Sequence, residues 1–162
     1  MFKEKFLLKF KKLLLKYHSK NNLEYREIFR VDKLLYLLRF YLYRKKKYWQ
    51  PSVYLHCFKS SDEDLELHSH PWSRSLSLIL AGSYKEEYLE DGVVKVRILK
   101  PGMFNYIKHN KFHRIELLTP EVWTLFVSGK KTKTWGFIDR DTLKFTDWET
   151  HTKKKREDEK KD

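Results

Sequence analysis

The sequence predicts a mainly β protein, a small barrel or a sandwich of two sheets, preceded by a basic helical arm. Between residues 51 and 150, short runs rich in Val, Ile, Phe, Tyr and Trp alternate with turn signals. No segment with helical periodicity interrupts these runs, which is typical of sandwiches and barrels, including the double-sheet jelly roll. The first 20 residues instead place apolar side chains at helical spacing.

The N-terminal arm is predicted to contain two helices. Apolar residues recur every three or four positions over residues 2–20, at Phe2, Phe6, Phe10, Leu13 and Tyr17. Lysines lie on the other flanks, which indicates an amphipathic helix. A second helix is predicted over residues 32–47, because Asp32 is a suitable N-cap and the run that follows is apolar nearly all round. Its lysine-rich end suits the negative end of a helix dipole.

The β region is predicted to contain ten short strands. They cover residues 53–58, 65–70, 76–80, 83–89, 93–99, 103–107, 113–117, 123–128, 134–137 and 144–148. Glu90-Asp91-Gly92 is a strong signal for a tight hairpin between the fourth and fifth of these strands. The last ten residues, 153–162, are almost purely charged and are predicted to be disordered.

Charge is distributed unevenly along the chain. The formal net charge is +13, of which residues 1–50 carry +11, residues 51–150 carry none and residues 151–162 carry +2. This break in composition predicts three units: a basic arm, a β domain and a charged tail. Three roles for the arm stay open, namely packing on the barrel or pairing two subunits as a homodimer, docking to an anionic membrane surface, and binding nucleic-acid phosphates.

Composition also limits the class of protein. A chain of 162 residues suits one domain with extensions, and its single cysteine, Cys57, cannot form an intrachain disulfide. No secretory signal pattern is visible, so we expect a reducing, cytoplasmic location. Five glycines leave little room for a phosphate-binding loop, and no serine sits in a nucleophile elbow.

A metal site is indicated by the segment His68-Ser-His70-Pro. Residues two apart in a strand point to the same face, so His68 and His70 are expected to project together. Neutral imidazoles are good ligands for Zn, Fe, Ni or Cu. A polar strand end without a metal is the other interpretation of this short motif.

A third histidine lies downstream, where Pro101-Gly102 opens a short strand, a polar turn follows and His113 begins the next strand. This two-part pattern resembles the cupin superfamily. Its first motif is His-x-His, usually followed by Glu and then Gly, here Gly82, and its second motif runs from Pro-Gly to a histidine. The resemblance implies a cupin double-stranded β-helix, which is a jelly-roll barrel, and a metal site.

The usual cupin glutamate position holds Ser75 in this sequence. The resemblance therefore implies a three-histidine site, such as thiol dioxygenases of the superfamily use. Segments across residues 54–148, among them His-Ser-His-Pro-Trp, His-Arg-Ile-Glu-Leu and Trp-Gly-Phe, are similar to a group of small cupin proteins of bacteria and phages. None of these segments indicates a substrate.

Four other residues are candidates for the site. Glu66 shares a strand face with the first two histidines, and His56 lies on a preceding strand, so each is a less favoured metal ligand. A solvated glutamate and a buried histidine are the alternatives. Arg74 is predicted to bind a substrate carboxylate through its planar fork, with a surface arginine on a loop as the alternative. Tyr106 is predicted to donate a proton, with the capping of a strand as the alternative.

The functional hypothesis is a metal-binding cupin that acts on a small molecule. Three protein ligands leave open positions for oxygen and substrate, which is what catalysis requires. The resemblance implies an Fe(II)-dependent, oxygenase-type enzyme, with Zn, Mn or Ni as other candidate metals. One alternative is a non-catalytic cupin whose arm docks to a membrane, nucleic acid or protein; another is a metal-dependent isomerase or a small-ligand sensor.

Overall fold

The computed structural model describes residues 2–44, 47, 50–132 and 134–158, and within them the chain is mainly β, as predicted. The helices and strands are α1 (Phe2–Lys20), β1 (Tyr25–Phe29), β2 (Leu35–Tyr43), β3 (Ser52–Phe58), β4 (Leu67–His68), β5 (Arg74–Ala81), β6 (Tyr84–Glu90), β7 (Val93–Leu99), β8 (Phe104–Lys108), β9 (His113–Leu117), β10 (Val122–Ser128), β11 (Gly136–Ile138), β12 (Phe145–Asp147) and α2 (Trp148–Asp158).

The described strands form two antiparallel sheets of six strands each. The first sheet has the order β1-β2-β3-β10-β5-β8 and the second has the order β12-β11-β4-β9-β6-β7. Strands that are distant in sequence, such as β3 and β10, are therefore neighbours in space. An apolar cluster that includes Ile79, Leu99, Ile115 and Val122 fills part of the interior with side chains from both sheets.

Helix α1 covers the outer face of the first sheet. The prediction of a helix over residues 2–20 is confirmed. Leu7 is buried against Leu55, Cys57, Leu80 and Trp123. Alternation along β3 explains the arrangement, because residues next to one another in a strand point to opposite faces. One set of β3 side chains therefore packs on the helix, and the other set faces the interior of the protein.

The prediction of a second helix over residues 32–47 is wrong. Residues 35–43 form strand β2, which pairs with β3 through Leu38↔Cys57, Arg39↔His56 and Phe40↔Leu55. A strand that is covered on both faces has an apolar run much like that of a buried helix, so periodicity alone does not separate them. The first sheet thus continues across the composition break at residue 50. Residues 45, 46, 48 and 49 lie outside the described part.

The prediction of disorder is wrong for residues 153–158, which belong to α2. Asp147 caps this helix, because its Oδ1 accepts hydrogen bonds from the backbone N–H groups of Glu149 (3.1 Å) and Thr150 (3.0 Å). Lys155 then anchors the helix through an ion pair with Glu63 (3.1 Å). The remaining tail residues, 159–162, are not among those described.

Gly82 makes the turn between β5 and β6. Its φ of +74° lies in the left-handed region, and a Cβ atom there would be 2.2 Å from the carbonyl oxygen of Glu121. Only glycine fits such a close approach to the backbone. Among the described residues, no helix is long and apolar enough to cross a membrane.

Candidate metal centre

The structure brings His68, His70 and His113 together. His68 ends β4 and pairs directly with His113, the first residue of β9, while His70 follows His68 by two residues. Each pair of the three rings has a centroid separation of 5.0 Å. One nitrogen from each ring lies within 4.8 Å of the others, which is close enough for a single ion to contact all three.

The donor nitrogens fit a divalent metal. The Nε2 atoms of His70 and His113 are 2.8 Å apart. Two imidazole nitrogens bound at right angles to one ion, at the usual bond length of about 2.05 Å, would be about 2.9 Å apart. Burial lowers the pKa of His68 to about 4 and holds the pKa of His70 well below its usual value. Both rings are therefore neutral near pH 7, as metal ligands must be.

Glu86 fixes the orientation of His113. The Nδ1 atom of His113 donates a hydrogen bond to Oε1 of Glu86 over 2.6 Å, so the lone pair of its Nε2 is left for the metal. Glu86 lies on β6 and is fully buried. Burial alone would raise the pKa of this carboxyl group, but the hydrogen bond from His113 and the charge of Lys111 hold it well below its usual value.

A buried polar network holds Glu86 in place. Its carboxylate accepts hydrogen bonds from Arg97 Nε (2.6 Å), Lys111 Nζ (2.7 Å) and Asn105 Nδ2 (2.8 Å). The Oδ1 atom of Asn105 in turn accepts from Arg97 (2.7 Å) and Lys111 (3.1 Å). Because Arg97 and Lys111 each donate to both Glu86 and Asn105, the carboxylate has little freedom to move, and the ring of His113 shares this constraint.

Asp62 supports the centre from the other side. Its carboxylate accepts hydrogen bonds from the hydroxyl group of Tyr36 and from the backbone N–H of Ile115 (2.6 Å). Its Oδ2 atom is 3.7 Å from Nδ1 of His68, which is an electrostatic contact rather than a hydrogen bond. Asp62 therefore positions the segment that leads into β4 and places a negative charge near the first histidine.

The three histidines line a cavity of about 550 Å³ between the two sheets. This volume lies within the range of small-molecule sites. Aromatic side chains form much of its wall: His70 stacks on Trp72 with a centroid separation of 5.5 Å, and Trp72 contacts Phe126 at 5.6 Å. Trp135 and Phe137 also line the cavity. The cavity therefore offers an apolar enclosure next to three imidazole nitrogens that could hold one metal ion.

The two less favoured ligands do not join this cluster. The carboxylate of Glu66 instead lies with Asp64 and His151 in a separate group. His56 is buried on β3, where its Nε2 accepts a hydrogen bond from Nε of Arg39 over 3.1 Å. Burial and the nearby charge of Arg39 hold the pKa of His56 well below its usual value, so this ring is neutral.

Arg74 and Tyr106 lie outside the cavity, so the structure corrects the roles predicted for them. Alternation along β5 turns Ser75 and Ser77 inward, which leaves Arg74 on the exposed outer face. Tyr106 lies on the same outer face, is 48% exposed and pairs with Leu76. Neither residue lines the cavity. The residue next to the usual glutamate position thus faces the wrong way to meet a substrate at the histidines.

Two functional residues were missed by sequence reasoning. Arg39 lay within the predicted second helix, and only its assignment to a strand next to His56 places it in the cavity. Glu86, in contrast, could have been identified from the sequence. The hairpin turn at Glu90-Asp91-Gly92 sets the register of β6 and β7, and counting outward from it pairs Glu86 with Arg97. A charged pair on the inward face of a hairpin indicates a buried ionic network.

No protein-family model matches the sequence. No curated protein matches it either. Solved structures do match: Fe(II)-HppE with the alternative substrate (S)-1-HPP has a TM-score of 0.54 and 14% identity, over 67% of this chain and 56% of that chain. Hydroxypropylphosphonic acid epoxidase from S. wedmorenis has a TM-score of 0.51 and 16% identity, over 65% and 55% of the two chains.

A third match is KdgF from Halomonas sp., with a TM-score of 0.50 and 11% identity, over 69% of this chain and 92% of that chain. These neighbours are cupin-fold proteins, so the match supports a cupin fold for the present chain, as the sequence motifs predicted. At such low identities the likeness shows the fold alone. The chain spans a little more than half the length of the HppE structure. The finer resemblance to small cupins of bacteria and phages stays a prediction.

Proposed function

We propose that this chain is a metal-dependent enzyme of the cupin type, with Fe(II) bound by His68, His70 and His113 and an oxygenase-type reaction on a small molecule. The observation that carries the proposal is the convergence of three imidazole rings at a cavity large enough for a small molecule. The Fe(II) form of the structural neighbour HppE supports iron as the metal. Zn, Mn and Ni are the competing metals.

The chain itself supplies binding, orientation and exclusion of water. A divalent ion held by three histidines would supply a Lewis acid with open positions for oxygen and substrate. Glu86 keeps the proton of His113 on Nδ1, so that Nε2 is the metal-binding atom. Trp72 and Phe126 present apolar surface beside the histidines, which keeps water away from a bound molecule.

The metal site is tested by measuring metal content with mass spectrometry on tag-free protein. We expect near-stoichiometric metal in the wild type and a loss of most of it in both His70→Ala and His113→Ala. The matched control is His109→Ala, because His109 is exposed and lies outside the cluster, so this variant should keep its metal. A wild type that is empty and also does not bind added Fe(II) would contradict the proposal.

The oxygenase class is tested separately. Protein loaded with Fe(II) without oxygen should consume oxygen when it meets air together with a small-molecule substrate, and His113→Ala should not. Equal conversion of a substrate without oxygen would contradict the oxygenase class and favour a lyase or isomerase. It would not contradict the metal site.

A second candidate function concerns α1. Phe6, Leu13 and Tyr17 remain at least 50% exposed on this helix, although its opposite side is packed on the sheet. Exposed apolar groups among lysines favour docking to an anionic membrane surface. Sedimentation with phosphatidylserine vesicles tests this: binding that survives His70→Ala and falls steeply with salt supports it, and no binding at low salt contradicts it. The homodimer stays a prediction.

A further inference from the structure

Arg39 lies on the wall of the same cavity as the three histidines. It is the cross-strand partner of His56 in the pairing of β2 with β3. Its neighbours in β2, Leu38 and Phe40, pack against the α1 side of the sheet. Alternation therefore turns Arg39 towards the interior, where a positive charge is costly unless something pairs with it.

The guanidinium group of Arg39 has no carboxylate partner in the described part of the chain. Its Nε donates to His56, and its central carbon is 5.1 Å from the centre of the Tyr54 ring. Other arginines of the fold do form ion pairs, as Arg97 does with Glu86 and Arg114 with Glu87. Arg39 thus keeps its charge and its terminal N–H donors available to a ligand.

His56 orients Arg39 within this wall. Because its Nε2 accepts the hydrogen bond from Arg39, its proton must sit on Nδ1. The Nδ1 atom is buried and has no hydrogen-bond partner in the described structure. No solvent reaches this atom, so the donors that remain for a ligand are the terminal N–H groups of Arg39, whose Nε is held by His56.

Three of the four acidic residues that line the cavity have partners of their own. Lys155 forms ion pairs with Glu63 (3.1 Å) and with Asp64. Asp62 accepts hydrogen bonds from Tyr36 and from the backbone of Ile115. These contacts fix the three carboxylates in place, and none of the three pairs with Arg39. The chemistry of this part of the wall therefore favours an anion.

A row of aromatic side chains runs along the cavity from His56, the partner of Arg39, to the three histidines. The ring of His56 stacks on Phe126 at 5.0 Å, Phe126 contacts Trp72 at 5.6 Å, and Trp72 stacks on His70 at 5.5 Å. The two ends of this row are one cationic donor pair and one metal-ligating cluster.

We infer that Arg39, assisted by His56, binds the anionic group of a small organic acid whose apolar body packs on Trp72 and Phe126 and whose other end reaches the three histidines. The anion is a carboxylate or a phosphonate, since both match the planar fork of a guanidinium group. Placing the reacting end at the histidines rests on the proposed function. Anion binding by Arg39 does not.

The test uses metal-free protein, so that an ion at the histidines contributes nothing. The probes are isobutyrate and its neutral isostere isobutyramide, titrated by ligand-observed NMR, with methylphosphonate as a second anion. Since a hydrogen bond to a charged group stabilises a complex substantially, we expect the wild type to prefer isobutyrate at least about tenfold. A tighter complex with methylphosphonate would assign a phosphonate, and the reverse order a carboxylate; either order supports the inference.

Two variants decide whether Arg39 causes this preference. Arg39→Gln should bind isobutyramide as the wild type does, which shows an intact cavity, yet should lose most of the preference for isobutyrate. Arg39→Lys should keep part of it. The matched control is Arg74→Gln, an exposed arginine on the outer face, which should keep all of it. Equal binding of both probes by the wild type, or an unchanged preference in Arg39→Gln, would overturn the inference. Neither result depends on the metal content of the protein, so a failure of this inference is distinguishable from a failure of the proposed metal site.

Discussion

At the scale of single residues, Glu86 links the histidine cluster to the rest of the fold. It contacts one of the three histidines directly and is held by three donors from β7, β8 and the turn before β9. A partner of this kind fixes both the tautomer and the angle of a metal-ligating ring. The geometry of the centre therefore depends on a residue that is not itself one of the three ligands.

Replacing Glu86 should weaken metal binding without removing a ligand. In Glu86→Gln the side chain keeps its shape but loses its charge, so His113 is a poorer ligand and its orientation is less fixed. We expect metal affinity to fall about 10- to 100-fold, measured by competition with a fluorescent chelator. Glu90→Gln is the control, because Glu90 lies on the same strand but is exposed and pairs with Lys95. Equal affinities for the Glu86→Gln and Glu90→Gln proteins would contradict this role.

The limits of sequence reasoning are clearest at this scale. His68 and His70 were predictable as neighbours, because their spacing of two puts them on one face of any extended segment. The same alternation explains the error at Arg74. This residue is next to the buried, inward-facing Ser75 in β5, so its own side chain must point outward. Arg39 was not predictable, because nothing in the local pattern reveals that β2 pairs with β3 through Arg39 and His56.

At the scale of elements, most of the strands after residue 51 were predictable because turn residues separate them. The two errors share one physical cause, which is that packing overrides local pattern. Residues 35–43 have the apolar content of a buried helix, yet they form a strand. One face of this strand packs against α1, and the other face lines the cavity. Residues 153–158 are highly charged, yet the cap at Asp147 and the ion pair of Lys155 hold them in a helix.

The packing of α1 on the first sheet predicts an asymmetry between two leucines of this helix. Leu7 is 5% exposed and belongs to the cluster with Leu55 and Trp123, whereas Leu13 is 61% exposed. Leu7→Ala should lower the free energy of unfolding by about 2–5 kcal/mol, since it leaves a cavity. Leu13→Ala should change it by less than about 0.5 kcal/mol. Urea denaturation measures both, and similar values for the two variants would contradict the packing of α1.

At the scale of the whole molecule, the histidine cluster joins segments that are far apart in sequence. His68 and His113 belong to neighbouring strands of the second sheet, and His70 lies on the connection from that sheet to β5 in the first. An ion bound by all three would therefore hold β4, β9 and the crossover between the sheets together. Because the three histidines meet only in the folded chain, metal binding at this site would be coupled to folding.

This coupling predicts that metal raises the unfolding temperature. At a free metal concentration of about 100 times the dissociation constant, the folded state gains about 2.7 kcal/mol. For a chain of this size each kcal/mol corresponds to about 2–4 °C, so we expect an increase of about 5–11 °C over protein treated with a chelator. Differential scanning calorimetry under anaerobic conditions with Fe(II), and in parallel with Zn, measures it.

The variants separate specific binding from general effects of the metal. His113→Ala removes one ligand and should abolish most of the increase, while His109→Ala should retain it, because His109 is exposed in the turn before β9. An equal increase in both variants would mean that metal stabilises the protein elsewhere. The group formed by Asp64, Glu66 and His151 would then be the next place to test, since its ligand atoms also lie within 4.8 Å of one another.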